Sequence, residues 1–221
     1  MRIQTEESRA PKPSLRLFPP ALLRTLERWT DRHFAFCSRV KVDPNVLTFL
    51  GFLAGLDAGI LFFLGRPVLA GAAVVLCGAL DVLDGQVAER TNRRTHYGAL
   101  LDSTLDRYAE FFMYFGLAFY FRESWRLWIP FWAFLGSAMV SYTRARAEGL
   151  GYECREGFMQ RAERLVLLAL VSLAGPPFGI FDSAATAVLV LIALISNVTA
   201  VQRTLLVRSL ERRRNKEDRQ L

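Results

Sequence analysis

The chain has 221 residues, 52% of them hydrophobic, with a mean hydropathy of +0.21 and a formal charge of +7. A soluble domain of this length carries less apolar residue and alternates it more regularly, so the composition argues for a membrane protein. A nucleic-acid binder is excluded on pattern, because its basic faces do not alternate with membrane-length apolar runs as the arginine-rich stretches do here.

Residues 1–19 are polar, charged and proline-containing, with no apolar core, and are expected to form a polar tail rather than a cleavable signal peptide. In residues 20–41, Leu22, Leu26, Trp29 and Phe36 share one helical face, while Arg24, Arg28 and Arg32 lie elsewhere on the wheel. With Pro20 at its start, this segment predicts an amphipathic juxtamembrane helix lying on the membrane surface.

Six apolar runs follow, at about 45–65, 67–91, 97–121, 127–149, 157–177 and 182–208. A bilayer core takes about 20 apolar residues per helix. The runs therefore predict an all-α integral membrane protein with six transmembrane helices in residues 42–208, and a charged cytoplasmic tail at 209–221. The fifth run is continuous only from Leu165 to Ala174 and opens on Arg161, Glu163 and Arg164, so its first turns need polar or protein-lined surroundings. Arg66, Arg122 and Arg126 are the basic residues in the joints on one side of the membrane. Nearly all the others lie in the N-terminal segment, the second-to-third and fourth-to-fifth joints and the tail, which places both termini in the cytoplasm. Cys37, Cys77 and Cys154 show no metal or redox spacing and suggest no disulfide framework.

The chemistry is concentrated between residues 81 and 107, DVLDGQVAERTNRRTHYGALLDSTLDR. Asp81 and Asp84 are three apart near the inner end of the second run, and Asp102 and Asp106 are four apart near the start of the third, so each pair shares a helix face. Counted from Arg93, Asp84 and Asp102 are each nine residues away, Asp81 twelve and Asp106 thirteen. Two helices packed antiparallel would bring the four carboxylates into one cluster at two matched levels. Such a cluster requires that some acids be protonated or that cations be bound. All-oxygen carboxylate sites suit hard cations such as Mg²⁺ or Mn²⁺, and two divalent ions would balance four charges, as in two-metal phosphoryl chemistry. Gly85, Ala88 and Gly98 would let backbone approach a ligand closely, or serve tight helix packing. The other readings of the acids are structural ion pairs with arginines and a cation path through the membrane. Asp57 lies too deep in the first run to join the cluster and reads as an interhelical packing or hydrogen-bonding residue.

The same residues resemble the signature of the CDP-alcohol phosphotransferase family, D-x2-D-G-x2-A-R-x8-G-x3-D-x3-D. Asp81, Asp84, Gly85, Ala88, Gly98, Asp102 and Asp106 fall in register, and Pro44-Asn45-x-x-Thr48 is similar to the family's start of span one. Glu89 stands where the family has arginine, with Arg90 beside it and Arg93 and Arg94 close by as substitutes. The resemblance implies that Asp81, Asp84 and Asp102 are metal ligands, and that Asp106 serves the second metal or acts as base. It places Gly85, Ala88, Gly98, Thr48 and Arg90 around the nucleotide. A hydroxyl deprotonated by Asp106 would attack the lipid-bearing phosphorus and expel CMP. It also implies a homodimer.

SYTRARAEG (141–149) and MQRAERLVLL (159–168) resemble the phosphatidylinositol-phosphate synthase branch, which joins a CDP-diacylglycerol-type lipid to inositol phosphate. By that resemblance Arg144, Arg146, Arg161 and Arg164, with Arg203, form a cationic pocket for an anionic acceptor's phosphate, a task suited to the planar donor fork of arginine. Glu148 and Glu163 would orient the arginines by pairing. Read by position alone, the arginines are positive-inside flanking charge. Glycerol phosphate or another alcohol is the alternative acceptor, and a cation carrier or an inactive relative is the alternative of another class.

Overall fold

The computed structural model describes residues 42–152, 154 and 159–217, the last five of these by backbone alone. The tail at 1–19 and the amphipathic helix expected at 20–41 lie outside the described residues. Among the described residues there are six α-helices and no strand: α1 Pro44–Phe63, α2 Pro67–Arg90, α3 His96–Tyr120, α4 Trp128–Gly149, α5 Arg161–Ala174 and α6 Phe181–Glu217. Single 3-10 turns at Trp125–Leu127 and Pro176–Phe178 lead into α4 and α6.

The helix starts follow from local chemistry. Asp43 caps α1 by accepting from the Asn45 amide at 2.9 Å, and Pro44 opens the helix where no amide hydrogen is required. Thr95 caps α3, its hydroxyl accepting from the Gly98 amide at 2.9 Å. Gln160 and Glu163 form a capping box on α5, in which the Gln160 amide donates to Glu163 at 2.8 Å.

Three of the helices, α1, α2 and the Phe181–Arg212 part of α6, are long and apolar enough to cross a membrane. Helix α5 has 14 residues, about 21 Å, and is shorter than the 157–177 run suggested, against a bilayer core of about 30 Å. Helix α6 does not stop near residue 208 but continues to Glu217, because the charged tail is built from arginine, glutamate and lysine, all good helix formers.

The arrangement around α1 positions the site. Helix α1 packs closely on both α2 and α3, whereas α2 and α3 do not pack closely on each other. The expected tight α2–α3 hairpin is therefore corrected, since α1 holds the two aspartate-bearing helices. Small residues permit this. A Cβ on Gly55 would lie 2.5 Å from the Ala109 Cβ, a Cβ on Gly59 would strike the Phe112 carbonyl, and one on Gly116 would strike the Gly59 carbonyl. Gly55, Gly59 and Gly116 let α1 and α3 meet backbone to backbone. Helix α2 packs on α5, α3 on α4, α4 on α6 and α5 on α6, around a core that includes Phe62, Val74, Met113, Leu117, Leu168 and Ile192. Asp57 is exposed on α1 rather than held between helices, which corrects its expected packing role.

Candidate active site

A cavity of about 310 Å³ opens at the end of the bundle where α2 finishes and α3 begins. Its walls are Pro44, Asn45 and Thr48 from α1, Asp84, Gly85 and Ala88 from α2, Arg93, Arg94 and Thr95 from the connection, and Gly98, Ala99 and Asp102 from α3. A Cβ at Gly85 would meet nothing within 4 Å, so that wall borders open space, and Gly85 makes room rather than tightening a helix contact. The buried Thr48 hydroxyl donates to Asp84 Oδ2 at 2.6 Å across α1 and α2.

Behind the cavity three carboxylates converge. Asp81, Asp102 and Asp106 each present an oxygen within 4.8 Å of the others. Asp84 is not one of this group; it stands on the cavity wall with Thr48, so the expected single cluster of four at matched levels is resolved into three plus one. The physical reason is Thr48 of α1, whose hydroxyl holds Asp84 on the cavity wall, while Asp81, three residues earlier on α2, reaches the acids of α3. Asp102 belongs to both places, lining the cavity and completing the trio. Arg161, the first residue of α5, reaches into the trio, with Nη1 2.6 Å from Asp81 Oδ1 and Nη2 2.7 Å from Asp106 Oδ1.

A second polar layer lies one turn deeper. Glu110 follows Asp106 by four residues, on the same face of α3, and its side chain is 1% exposed. It accepts from Ser137 Oγ at 2.8 Å and from Arg164 Nε at 2.8 Å, and lies 3.1 Å from Arg107 Nη1. Arg107 also bonds Ser141, and Arg164 donates to the Met159 carbonyl at 2.6 Å. Buried charges are tolerated only when paired and hydrogen-bonded, and this set meets that condition while joining α3, α4 and α5.

The predicted acceptor arginines are dispersed. Arg161 lies on the aspartates. Arg164, expected in the anion pocket, is buried and enclosed by Glu110 and the Met159 carbonyl. Arg203 is buried and ties α6 to α4 by donating to the Val140 carbonyl at 2.5 Å, so it too is turned inward. Arg144 and Arg146 are exposed near the end of α4, Arg144 paired with Glu148 at 2.9 Å as the expected orienting contact. Glu163 closes the capping box of its own helix instead.

On the nucleotide side, Thr48, Gly85, Ala88 and Gly98 line the cavity and Arg90 does not. Arg90 is five residues past Gly85, about 140° around the helix, and so points elsewhere. The chain then turns back at Asn92, whose φ of 54° is a left-handed conformation that asparagine tolerates, and this brings Arg93 and Arg94 to the rim. Arg94 pairs there with Glu89 at 3.1 Å, the residue that stands in place of the family arginine. Residue spacing alone does not assign Asn45 or Glu110 to the site. Asn45 belongs to the Pro44-Asn45-x-x-Thr48 pattern, and Glu110 extends the four-residue spacing of Asp102 and Asp106 by one more acid.

The residues fit a hard divalent cation. The donors are carboxylate oxygens, Asp102 Oδ1 is buried without a hydrogen-bond partner, and the three acids outnumber the guanidiniums beside them, Arg161 and, 3.9 Å from Asp106, Arg107.

Residues 41–199 match the family described as CDP-alcohol phosphatidyltransferase. The chain is 33% identical over 193 residues to an archaetidylinositol phosphate synthase of Methanothermobacter thermautotrophicus, covering 87% of this chain and 93% of that one. It resembles the crystal structure of Mycobacterium tuberculosis phosphatidylinositol phosphate synthase with CDP-DAG bound, at a TM-score of 0.73 and 30% identity, over 81% of this chain and 94% of that one. The same mycobacterial protein in complex with manganese and citrate gives a TM-score of 0.72 at 29% identity, over 80% and 88%.

Proposed function

We propose that this chain, which belongs to the CDP-alcohol phosphatidyltransferase family, transfers a phosphatidyl-type group from CDP-diacylglycerol or a similar CDP-linked lipid to a hydroxyl of inositol phosphate and releases CMP. It is a membrane transferase of phospholipid synthesis. The observation that carries the finer reading is the joining of cavity and carboxylate trio through Asp102, which sets a nucleotide-sized space directly beside acids suited to phosphoryl chemistry. The inositol phosphate named in the relatives supports the choice of acceptor.

In this reading the nucleotide enters between Thr48, Gly85, Ala88 and Gly98, where the missing side chain at Gly85 leaves room. Arg93 and Arg94 at the rim meet its phosphates. Asp81, Asp84, Asp102 and Asp106 would hold two divalent ions, Mg²⁺ or Mn²⁺, which when bound neutralise the charge of the diphosphate and of the leaving CMP. Asp106 takes the proton of the acceptor hydroxyl. The hydroxyl oxygen bonds to the lipid-bearing phosphorus as the bond to the CMP oxygen breaks. Arg161, with Arg144 and Arg146 at the same end of the bundle, holds the acceptor's phosphate.

The same reading has six spans crossing the bilayer, the short α5 doing so together with the turn at Pro176–Phe178 that follows it, and exposed apolar residues such as Leu76 on α2, Leu135 on α4, Leu170 on α5 and Leu194 on α6 toward lipid. It puts the cavity and both termini on the cytoplasmic side, where the arginines concentrate, and the working unit is a homodimer. The test is CMP release by the purified chain in detergent, with CDP-diacylglycerol, Mg²⁺ and a panel of acceptors, beside Asp106→Asn. Release with inositol phosphate that the variant lacks supports the reading. Release only with glycerol phosphate keeps the reaction and overturns the acceptor, and no release with any acceptor overturns the reaction.

A further inference from the structure

Arg161 occupies the position that its neighbours should reserve for something else. Its two terminal nitrogens contact carboxylates from two helices, Asp81 of α2 and Asp106 of α3, at 2.6 and 2.7 Å, and its side chain is only 13% exposed. Both contacted carboxylates belong to the group that converges with Asp102, whose own buried Oδ1 has no partner. A guanidinium is a fixed charge with donors only, so on Asp81 and Asp106 it neutralises the acids that another cation would need and opposes that cation's binding there.

Helix α5 is anchored independently of Arg161. One turn further along, Arg164 is locked against Glu110 and the Met159 carbonyl, so the helix itself is held to α3. Arg161 is the first residue of the helix, just after Gln160 and the left-handed Met159, so its long side chain hangs from the helix end rather than from the middle. The anchored helix keeps the withdrawn guanidinium at the mouth of the same cluster.

We propose that Arg161 is a tethered counter-ion that competes with divalent metal for Asp81 and Asp106. Once metal displaces it, the freed guanidinium becomes the anchor for the acceptor's phosphate. Metal binding thus precedes and creates the acceptor site. The second half rests on the functional reading above; the competition does not.

Thermodynamic measurements on the full chain in detergent separate the two. Mn²⁺ affinity is read by loss of the free-ion EPR signal, and thermal unfolding is followed with and without saturating Mn²⁺, for the wild type, Arg161→Gln and Arg161→Lys. Removing the competing charge tightens Mn²⁺ binding by about tenfold or more in Arg161→Gln, with Arg161→Lys, which keeps the charge, much closer to wild type. Arg161→Gln lowers Tm in the absence of metal, and the deficit disappears at saturating Mn²⁺. Unchanged Mn²⁺ affinity, or a Tm deficit that persists in saturating Mn²⁺, would overturn the competition and leave Arg161 a plain structural ion pair. Should Arg161→Gln fail to fold without metal, purification in Mn²⁺ followed by chelator titration gives the same comparison. Inositol phosphate binding to the wild type is then measured calorimetrically at increasing Mn²⁺. Binding that requires Mn²⁺ supports the coupling, and equal binding without metal overturns it. If inositol phosphate neither binds nor releases CMP while the Mn²⁺ difference persists, the acceptor assignment has failed and the competition stands.

Discussion

Thr48 on α1 and Asp84 on α2 are joined by a 2.6 Å hydrogen bond between two buried side chains that are 36 residues apart in sequence. The bond holds one carboxylate on the wall of the cavity, away from the trio formed by Asp81, Asp102 and Asp106. In Thr48→Val the shape is kept and the donor is lost, leaving a buried acceptor unsatisfied. The expected result is a rise of about five- to tenfold in KM for the CDP-linked lipid, with Thr48→Ser restoring most of it. Steady-state CMP release over a range of lipid concentration reads both values.

Asp102 is the residue shared by cavity and trio, so its loss should damage more than one property. Asp102→Asn is expected to lower kcat by about 10²–10³-fold and to weaken Mn²⁺ binding, while helical content by circular dichroism stays at the wild-type level. Chelation of metal from the wild type should give a comparable loss of turnover that added Mg²⁺ or Mn²⁺ restores.

Two glycines make opposite predictions under the same substitution. A Cβ at Gly116 would strike the Gly59 carbonyl, whereas one at Gly85 would enter open space. Gly116→Ala should destabilise the bundle by about 1–3 kcal/mol or more, seen as a lower Tm in detergent. Gly85→Ala should leave Tm unchanged and raise KM for the CDP-linked lipid, because the added methyl occupies the cavity.

Glu110 holds two arginines in a layer where its own side chain is 1% exposed. Glu110→Gln strands the charge of Arg164 and should cost about 3–5 kcal/mol. Adding Arg164→Met in the same chain should recover most of that, because the stranded charge goes with it. Thermal or denaturant unfolding of the wild type, both single variants and the double variant closes the cycle.

At the rim, Arg93 and Arg94 line the cavity and Arg90 does not. Arg94→Gln is expected to raise KM for the CDP-linked lipid about tenfold and Arg90→Gln to change it little. Equal effects of the two would mean that the turn at Asn92 does not select between them.

Helical periodicity made much of this legible from residues alone. The four aspartates, the glycines that open the cavity and the helix starts at Pro44 and Pro67 all follow from spacing and local caps. What spacing could not show is which acids meet. That depends on α1 lying against both α2 and α3, through contacts such as Gly59 with Gly116 between residues far apart in the chain. Arg161 and Arg164 make the same point within one turn of helix. Three residues apart and chemically identical, they have different partners, because Glu110 waits for one and Asp81 and Asp106 for the other. No local signal at position 161 or 164 carries that difference. The shortness of α5 and the helical continuation of α6 to Glu217 likewise reflect where tertiary support ends and where propensity suffices.

The seating of α2 and α3 on α1 has a mechanical consequence. Helix α1 works as a shim, and its glycine-lined thickness, not the short link at 91–95, sets the width between the two acid-bearing helices. The link carries a different duty, presenting Arg93 and Arg94 at the rim. The gauge of the reaction centre is thereby written into a helix that contributes no acid to the trio.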